Sequence, residues 1–215
     1  MRLFLGPGVH AAHVGDDLVF LDTVSDAYFC LAEAAEMILL GPGGQAQVSQ
    51  DDVAAQLLEA GLLALDPPPS RIPIPPRPTA STRLASPVST PMALSLVLRT
   101  LAATLRVGRR FSRQSFASLL EGPGPSALAL QNPSRSLTDA VAQFETLRPW
   151  LPLQGECLLR SYHLRTFLRA RGLDALWVFG VRTWPFDAHC WLQAGDTALD
   201  EDLERLHAYH PIMAA

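Results

Sequence analysis

Between Asp66 and Pro87 the chain reads DPPPSRIPIPPRPTASTRLASP. Proline lacks an amide donor and holds φ at about −65°, so a segment this rich in it builds neither a helix interior nor a central strand. The stretch therefore divides the chain into residues 1–66, an extended linker at 67–87 and residues 88–215. The competing reading is an irregular strap lying on either half. A chain of 215 residues, 48% hydrophobic, is long enough to bury two small cores.

The first part reads as a small α+β unit. Val9–Val14, Asp17–Asp22 and Ala27–Leu31 are short β-branched or aromatic runs separated by turn residues, Gly15-Asp16 and the Thr23–Asp26 stretch. In the middle run Leu18 and Phe20 alternate with Val19 and Leu21, so both faces are apolar and one is free for a partner. Ala32–Leu40 is expected as a helix stopped by the GPGG at Gly41–Gly44. Ser49 is the expected N-cap of a second helix, with Asp51 and Asp52 in its first turn. Val53, Leu57 and Leu58 share one face of that helix, and Gly61 ends it. Hairpin strands followed by short helices give a winged-helix-like module.

The second part places helices first. An amphipathic helix over Met92–Val107 ends in Arg99, Arg106, Arg109 and Arg110, an arginine group that also suits a solvated face. Ser136 is the expected cap of a helix running to about Leu147. A third helix starts at Cys157 and closes at Gly172. Strands follow at Leu176–Val181, His189–Gln193 and Thr197–Leu199, the last two joined by Ala194-Gly195-Asp196. Helices followed by an antiparallel sheet form the α+β pattern of papain-like and transglutaminase-like cores.

The order of Cys157, His189 and an acidic pair, Asp200 and Glu201, carries the chemistry. A thiol in the first turn of a helix has its thiolate favoured by the helix dipole. An imidazole on a later strand takes and returns a proton, and a carboxylate from the next strand fixes its tautomer. His189 and Trp191 share a strand face, so the indole shields the imidazole from water. Asp200 and Glu201 point to opposite faces of a regular strand, so one of the two completes the site; Asp202 replaces either if the turn is longer. Gln154, three residues before Cys157, is a candidate oxyanion donor. Cys190 should face away from His189 into the core, and His163 should pack within its helix. Cys157, His163 and His189 match no common zinc spacing, so no metal is expected.

Charge is divided as sharply as composition. All basic residues are arginine; residues 1–70 hold one of them against ten acids, and residues 71–215 hold 16 against 11. An acidic first half repels a phosphate backbone, which disfavours a winged-helix DNA binder, and suits a partner segment with basic residues. Three widely spaced cysteines argue against a disulfide framework and for a reducing compartment, so the expected location is cytoplasmic. No apolar run approaches the roughly 18 residues of a membrane span, and the N-terminus makes a poor signal peptide.

The run CLLRSYHLRTFLRARGLDALWVFGV from Cys157, with AHCWLQ and LDE after it, resembles the lasso peptide biosynthesis B proteins, transglutaminase-like cysteine peptidases that remove the leader of a ribosomally made precursor. The segment LDTVSDAYFCL resembles the small PqqD-like leader-recognition domain, here fused ahead of the peptidase. The resemblance implies that the first domain takes the leader as an added strand. The groove would involve Ala27, Tyr28 and Phe29 on one side and Val53, Leu57 and Leu58 on the other. It further implies Cys157 as nucleophile, His189 as base and acid, and the Leu-Asp-Glu run as the source of the carboxylate. The family's aspartate aligns with Glu201, while Asp200 has the family's residue type. An asparagine-synthetase-like lasso cyclase is the implied partner, and ATP enters only through it; no cofactor is expected on this chain, which has no GxxxxGKS run. Two further readings stay open: a transglutaminase-type acyl transferase using the same residues, and a leader-binding scaffold without activity.

Overall fold

The computed structural model describes residues 2–68, 71–82, 108, 111, 113–121, 125–150 and 157–215. Gln154, the helix expected over Met92–Val107 and the arginines Arg99, Arg106, Arg109 and Arg110 lie outside them. The described residues form a mixed α+β structure with three sheets.

The first hairpins form where the sequence places them. Strands β2 (Val9–Val14), β3 (Asp17–Asp22) and β4 (Ala27–Leu31) make an antiparallel meander. Gly15 takes φ 62 in the tight loop between the first two, a conformation that costs a glycine little. A second sheet assembles β1 (Leu3–Leu5), β5 (Ile38–Leu40), β6 (Gln45–Val48) and β7 (Leu63–Ala64) in the order β5-β6-β1-β7. Helix α1 (Asp51–Glu59) packs beneath it.

Ala32–Leu40 is not the expected helix. Glu33 has φ 56 and donates its amide to the Asp17 carboxylate at 3.1 Å, and the Ala35 amide reaches the Asp16 carbonyl at 3.0 Å. These bonds tie the segment to the first hairpin loop, and Ile38 then pairs with Val48 as β5. Tertiary bonding outweighs the helix preference of an alanine-rich run. Gly41–Gly44 consequently turns a hairpin instead of stopping a helix. With one helix among residues 2–68, this half is not the winged-helix arrangement expected from the sequence. The cap position of α1 is Gln50, not Ser49, and its side chain makes no capping bond.

The remaining helices are α2 (Phe116–Leu120), α3 (Arg135–Leu147), α4 (Cys157–Arg169) and the short α5 (Leu203–Leu206). Ser134, not Ser136, caps α3, accepting the Leu137 amide at 3.3 Å. The third sheet runs β12-β9-β10-β11-β8, built from β9 (Leu176–Arg182), β10 (Asp187–Ala194), β11 (Thr197–Ala198), β12 (His210–Ala214) and β8 (Ala80–Ser81). Within it β8 joins β11 in parallel.

Strand β3 is where the halves meet. Leu18 and Phe20 are fully buried with Leu3, Leu5, Ile38 and Leu57. Val19 and Leu21, on the other face, are also fully buried, but with Phe179, Ile212 and Met213 of the C-terminal half. The partner for the second apolar face is therefore the chain's own C-terminal half. The proline-rich segment reinforces the join. Arg71 donates to the Val9 carbonyl at 2.7 Å and the Gly6 carbonyl at 3.3 Å. Farther along, Thr79 bonds Asp196 at 2.9 Å and the Pro76 carbonyl accepts from Gln193 at 2.9 Å. Residues 71–82 thus lie as a strap across both halves.

A core shared by the two halves predicts that they unfold as one cooperative unit. Leu21→Ala should cost about 2–5 kcal/mol and leave a single calorimetric transition; two separated transitions would show that the halves unfold independently.

Candidate active site

Helix α4 brings Cys157 to the sheet, and its seat is fixed by a serine. Ser161, fully buried, accepts the Trp177 indole N–H at 2.8 Å and donates to the Cys157 carbonyl at 2.8 Å. Its oxygen also lies 3.3 Å from the Cys190 sulfur. Leu164 and Leu168, both fully buried, press the same helix onto β9 and β10. Cys157 is the first described residue of the helix and is half-buried.

His189 sits on β10 opposite Gly180 of β9. Its ring stacks 6.5 Å from Trp191 and lies 5.2 Å from Tyr209. Gly180 makes that possible: a Cβ there would fall 2.8 Å from the Trp191 ring and 3.1 Å from the Tyr209 side chain. The indole is itself held by Gln193, whose amide oxygen accepts its N–H at 3.0 Å. The shielding of the imidazole expected from the His-x-Trp spacing is present, with Tyr209 as a second wall that the sequence did not disclose.

The carboxylates do not follow the alternation of a regular strand, because β11 ends at Ala198 and both acids lie in the bend beyond it. Glu201 Oε2 lies 2.7 Å from His189 Nε2. Asp200, fully buried, accepts the Leu192 amide at 2.8 Å. The bend is held from outside by the strap: Ser81 donates to the Glu201 carbonyl at 2.7 Å and Thr82 to the Leu199 carbonyl at 2.6 Å. Arg160, on α4, reaches Glu201 Oε2 at 2.5 Å and approaches Asp200 Oδ2 at 3.9 Å, and Arg205 lies 3.5 Å from the same Glu201 oxygen.

Electrostatics follow from these contacts. The Cys157 thiol is pulled down to about 4 by hydrogen bonds from the Cys190 thiol first and then His189, which together outweigh its burial. Burial works against a charged imidazole at His189, yet its bonds to Cys157 and Glu201 raise it above the ordinary histidine value. Burial likewise opposes the Glu201 carboxylate, and bonds from His189 and Arg160 hold it down at about 2. Asp200, with burial as the main cause, is pushed up to about 6. With Nε2 facing Glu201, the other ring nitrogen is left for the thiol, and the lowered thiol and raised imidazole together favour the thiolate–imidazolium form.

The structure thus brings Cys157, His189 and Glu201 together, with Asp200 beside them but bonded elsewhere. Cys190 lies in the core as expected and also touches Cys157. His163 is buried on α4, its imidazole lowered to about 4 by burial. Among the described residues no cluster of histidine, cysteine and carboxylate could hold a metal. Ala27, Tyr28 and Phe29 lie on β4, an edge of the meander. Tyr28 packs 5.5 Å from Phe186, and Phe29 is 43% exposed. On α1, Val53 and Leu58 are half-buried, while Leu57 belongs to the N-terminal core and is not available to line a groove. Arg160, Arg205, Ser161 and Tyr209 were not singled out from the sequence. The spacing of Arg160, one turn after Cys157, was the available signal.

A thiol on a helix, a histidine on the following antiparallel sheet and a buried carboxylate beyond it are accompanied by a family match over residues 92–214, more than half of the chain. The chain belongs to the transglutaminase-like superfamily. A stretch of 48 residues is 40% identical to the microcin J25-processing protein McjB of Escherichia coli. That stretch is 22% of this chain and spans 23% of the length of McjB. No solved structure matches the chain. Among the described residues, no helix is long and apolar enough to cross a membrane.

Gly180→Ala should lower stability by about 1–3 kcal/mol in chemical denaturation and slow alkylation of Cys157 by displacing the wall around His189. Unchanged values for both would show that the Trp191 ring moves aside freely.

Proposed function

We propose that the protein is a cysteine peptidase that removes the leader from a lasso peptide precursor. The convergence of Cys157, His189 and Glu201 carries the chemical half of this reading, with His189 Nε2 2.7 Å from Glu201. The likeness to a microcin-processing protein supports the choice of substrate. Cys157 attacks the carbonyl joining leader and core, His189 passes the proton to the departing amine, and water then releases the leader acid from the thioester. Glu201 orients and stabilises the imidazolium, and Asp200 shapes the bend that carries Glu201.

In the same reading the N-terminal half binds the leader as a PqqD-like module does, by strand addition at β4. Two observations support that placement. β4 has a neighbour on one side only among the described strands. Burial, and then the nearby Cys190 and Cys157, raise the Tyr28 phenol above its ordinary value, which puts this strand beside the thiol. An extended leader along β4 is thereby brought toward the nucleophile. Phe186 and Trp184, 46% and 76% exposed, flank this route on the β9–β10 turn, and the Trp184 indole anchors that turn to Asp17 at 2.7 Å. The acidic N-terminal half favours a leader with basic residues. An asparagine-synthetase-like cyclase that uses ATP to close the ring is the proposed partner, and the cytoplasm the proposed location.

Cys157→Ala and His189→Ala should each abolish leader removal from a synthetic precursor, followed by mass spectrometry, while leader affinity stays near wild type. Leader removal at full rate by Cys157→Ala would leave only a scaffold role. Glu201→Ala should slow cleavage about 10²–10⁴-fold, and Asp200→Asn about tenfold or less; the reverse order would make Asp200 the carboxylate that serves His189.

A further inference from the structure

Arg160 has no part in the triad, yet its guanidinium lies at the centre of the site's charges. It follows Cys157 by three residues on α4, so the two side chains rise from one helix face. Its Nη2 is 2.5 Å from Glu201 Oε2, the same oxygen that meets His189 Nε2 at 2.7 Å. Its Nε faces Asp200 Oδ2 at 3.9 Å. The side chain is 19% exposed, so water screens these contacts little.

We propose that Arg160 is a positioning residue for the reaction at Cys157: it holds Glu201 ionised in its His189-bound place and sets a permanent positive charge beside the thiolate. The proposal rests on the reading of Cys157 and His189 as nucleophile and base. Two consequences follow from the geometry. Glu201 shares one oxygen between a cation that never loses its proton and an imidazolium that does, so it remains a carboxylate through the whole proton cycle of His189. The arginine also makes the site less dependent on His189 for thiolate stability, because it supports the thiolate electrostatically from the nucleophile's own helix.

The charged and titratable groups around Cys157 decide how this is read out. His189 and Cys190 face it from β10, Tyr28 from β4 and Arg160 from its own helix. Asp200 and Glu201 lie behind them in the bend, and Arg205 on α5. At neutral pH the loss of Arg160 is partly cancelled, because Asp200, already raised to about 6, takes up a proton. Below that pH Asp200 is neutral with or without Arg160, and nothing compensates. The arginine's contribution therefore shows on the acid limb of Cys157 ionisation, where the thiol ionises at about 4.

The test needs no precursor. The full chain is alkylated with iodoacetamide across a pH series, and the rate is read by mass spectrometry on the Cys157-containing peptide, which separates it from exposed Cys30. In wild type the acid limb should lie at about 4, where the thiol ionises. Arg160→Gln should move it upward by about one pH unit. Because Arg160→Gln alone strands Asp200 without a cation, the double variant Arg160→Gln/Asp200→Asn serves as the folded control and should show the same shift. Asp200→Asn alone should leave the limb in place, and Arg160→Lys should restore most of it. A double variant whose limb coincides with that of wild type overturns the role of Arg160 and leaves the Cys157–His189 reading standing. A wild-type limb at the ordinary thiol value of about 8.5 sinks the Cys157–His189 reading itself, and the proposal with it.

Discussion

A carboxylate almost removed from water must be matched by cations, and Glu201, 1% exposed, sets that demand on this molecule. Its oxygen Oε2 draws His189 from β10, Arg160 from α4 and Arg205 from α5 to one point. Three elements from separate parts of the C-terminal half are thereby registered against each other. Past Ala198 the bend that carries Glu201 keeps one backbone bond to β10, Leu199 N–H to the Leu192 carbonyl at 2.9 Å, and its carbonyls are satisfied from the strap, by Ser81 and Thr82. A segment with the composition of a linker consequently becomes part of the frame of the site. The charge balance that results favours an ionised thiol and a protonated imidazole, the state from which thiol chemistry starts.

The second constraint is the double-faced strand β3. A strand apolar on both sides must be covered on both sides, and here one cover comes from each half of the chain. The β2–β4 meander is therefore fixed relative to Cys157, His189 and Glu201 rather than tethered near them. Trp184 bonded to Asp17 and Tyr28 packed on Phe186 extend the same join toward Cys157. Under the proposed function, a leader held on β4 would inherit a fixed approach to Cys157.

What the sequence disclosed and what it concealed divide along physical lines. The three strands of the first meander were legible because each is a run of five or six residues with turn chemistry between. The α4 helix and β9–β10 hairpin were legible for the same reason. Strands β1, β5, β7 and β8 are two or three residues long and too short to show a period of two. The helix read over Ala32–Leu40 failed because Asp17 and Asp16, distant in sequence, claim the amides of Glu33 and Ala35. At the site, Cys157 and His189 were legible from residue type and order. Which acid lies against His189 was not, since it turned on β11 ending at Ala198. Arg160 was hidden in an arginine-rich helix, where composition alone gives no reason to single out one guanidinium.

Under the proposed function, a thioester on Cys157 has two fates, capture by water or capture by an amine. A buried site in which imidazolium and carboxylate are already paired serves both equally well. The direct measurement is leader removal from a full-length precursor in water enriched in oxygen-18, with the released leader weighed by mass spectrometry. Peptidase action calls for a leader whose new C-terminal carboxylate carries one oxygen-18 atom. A precursor left intact, or a leader released with an amine attached and no label, would contradict the account.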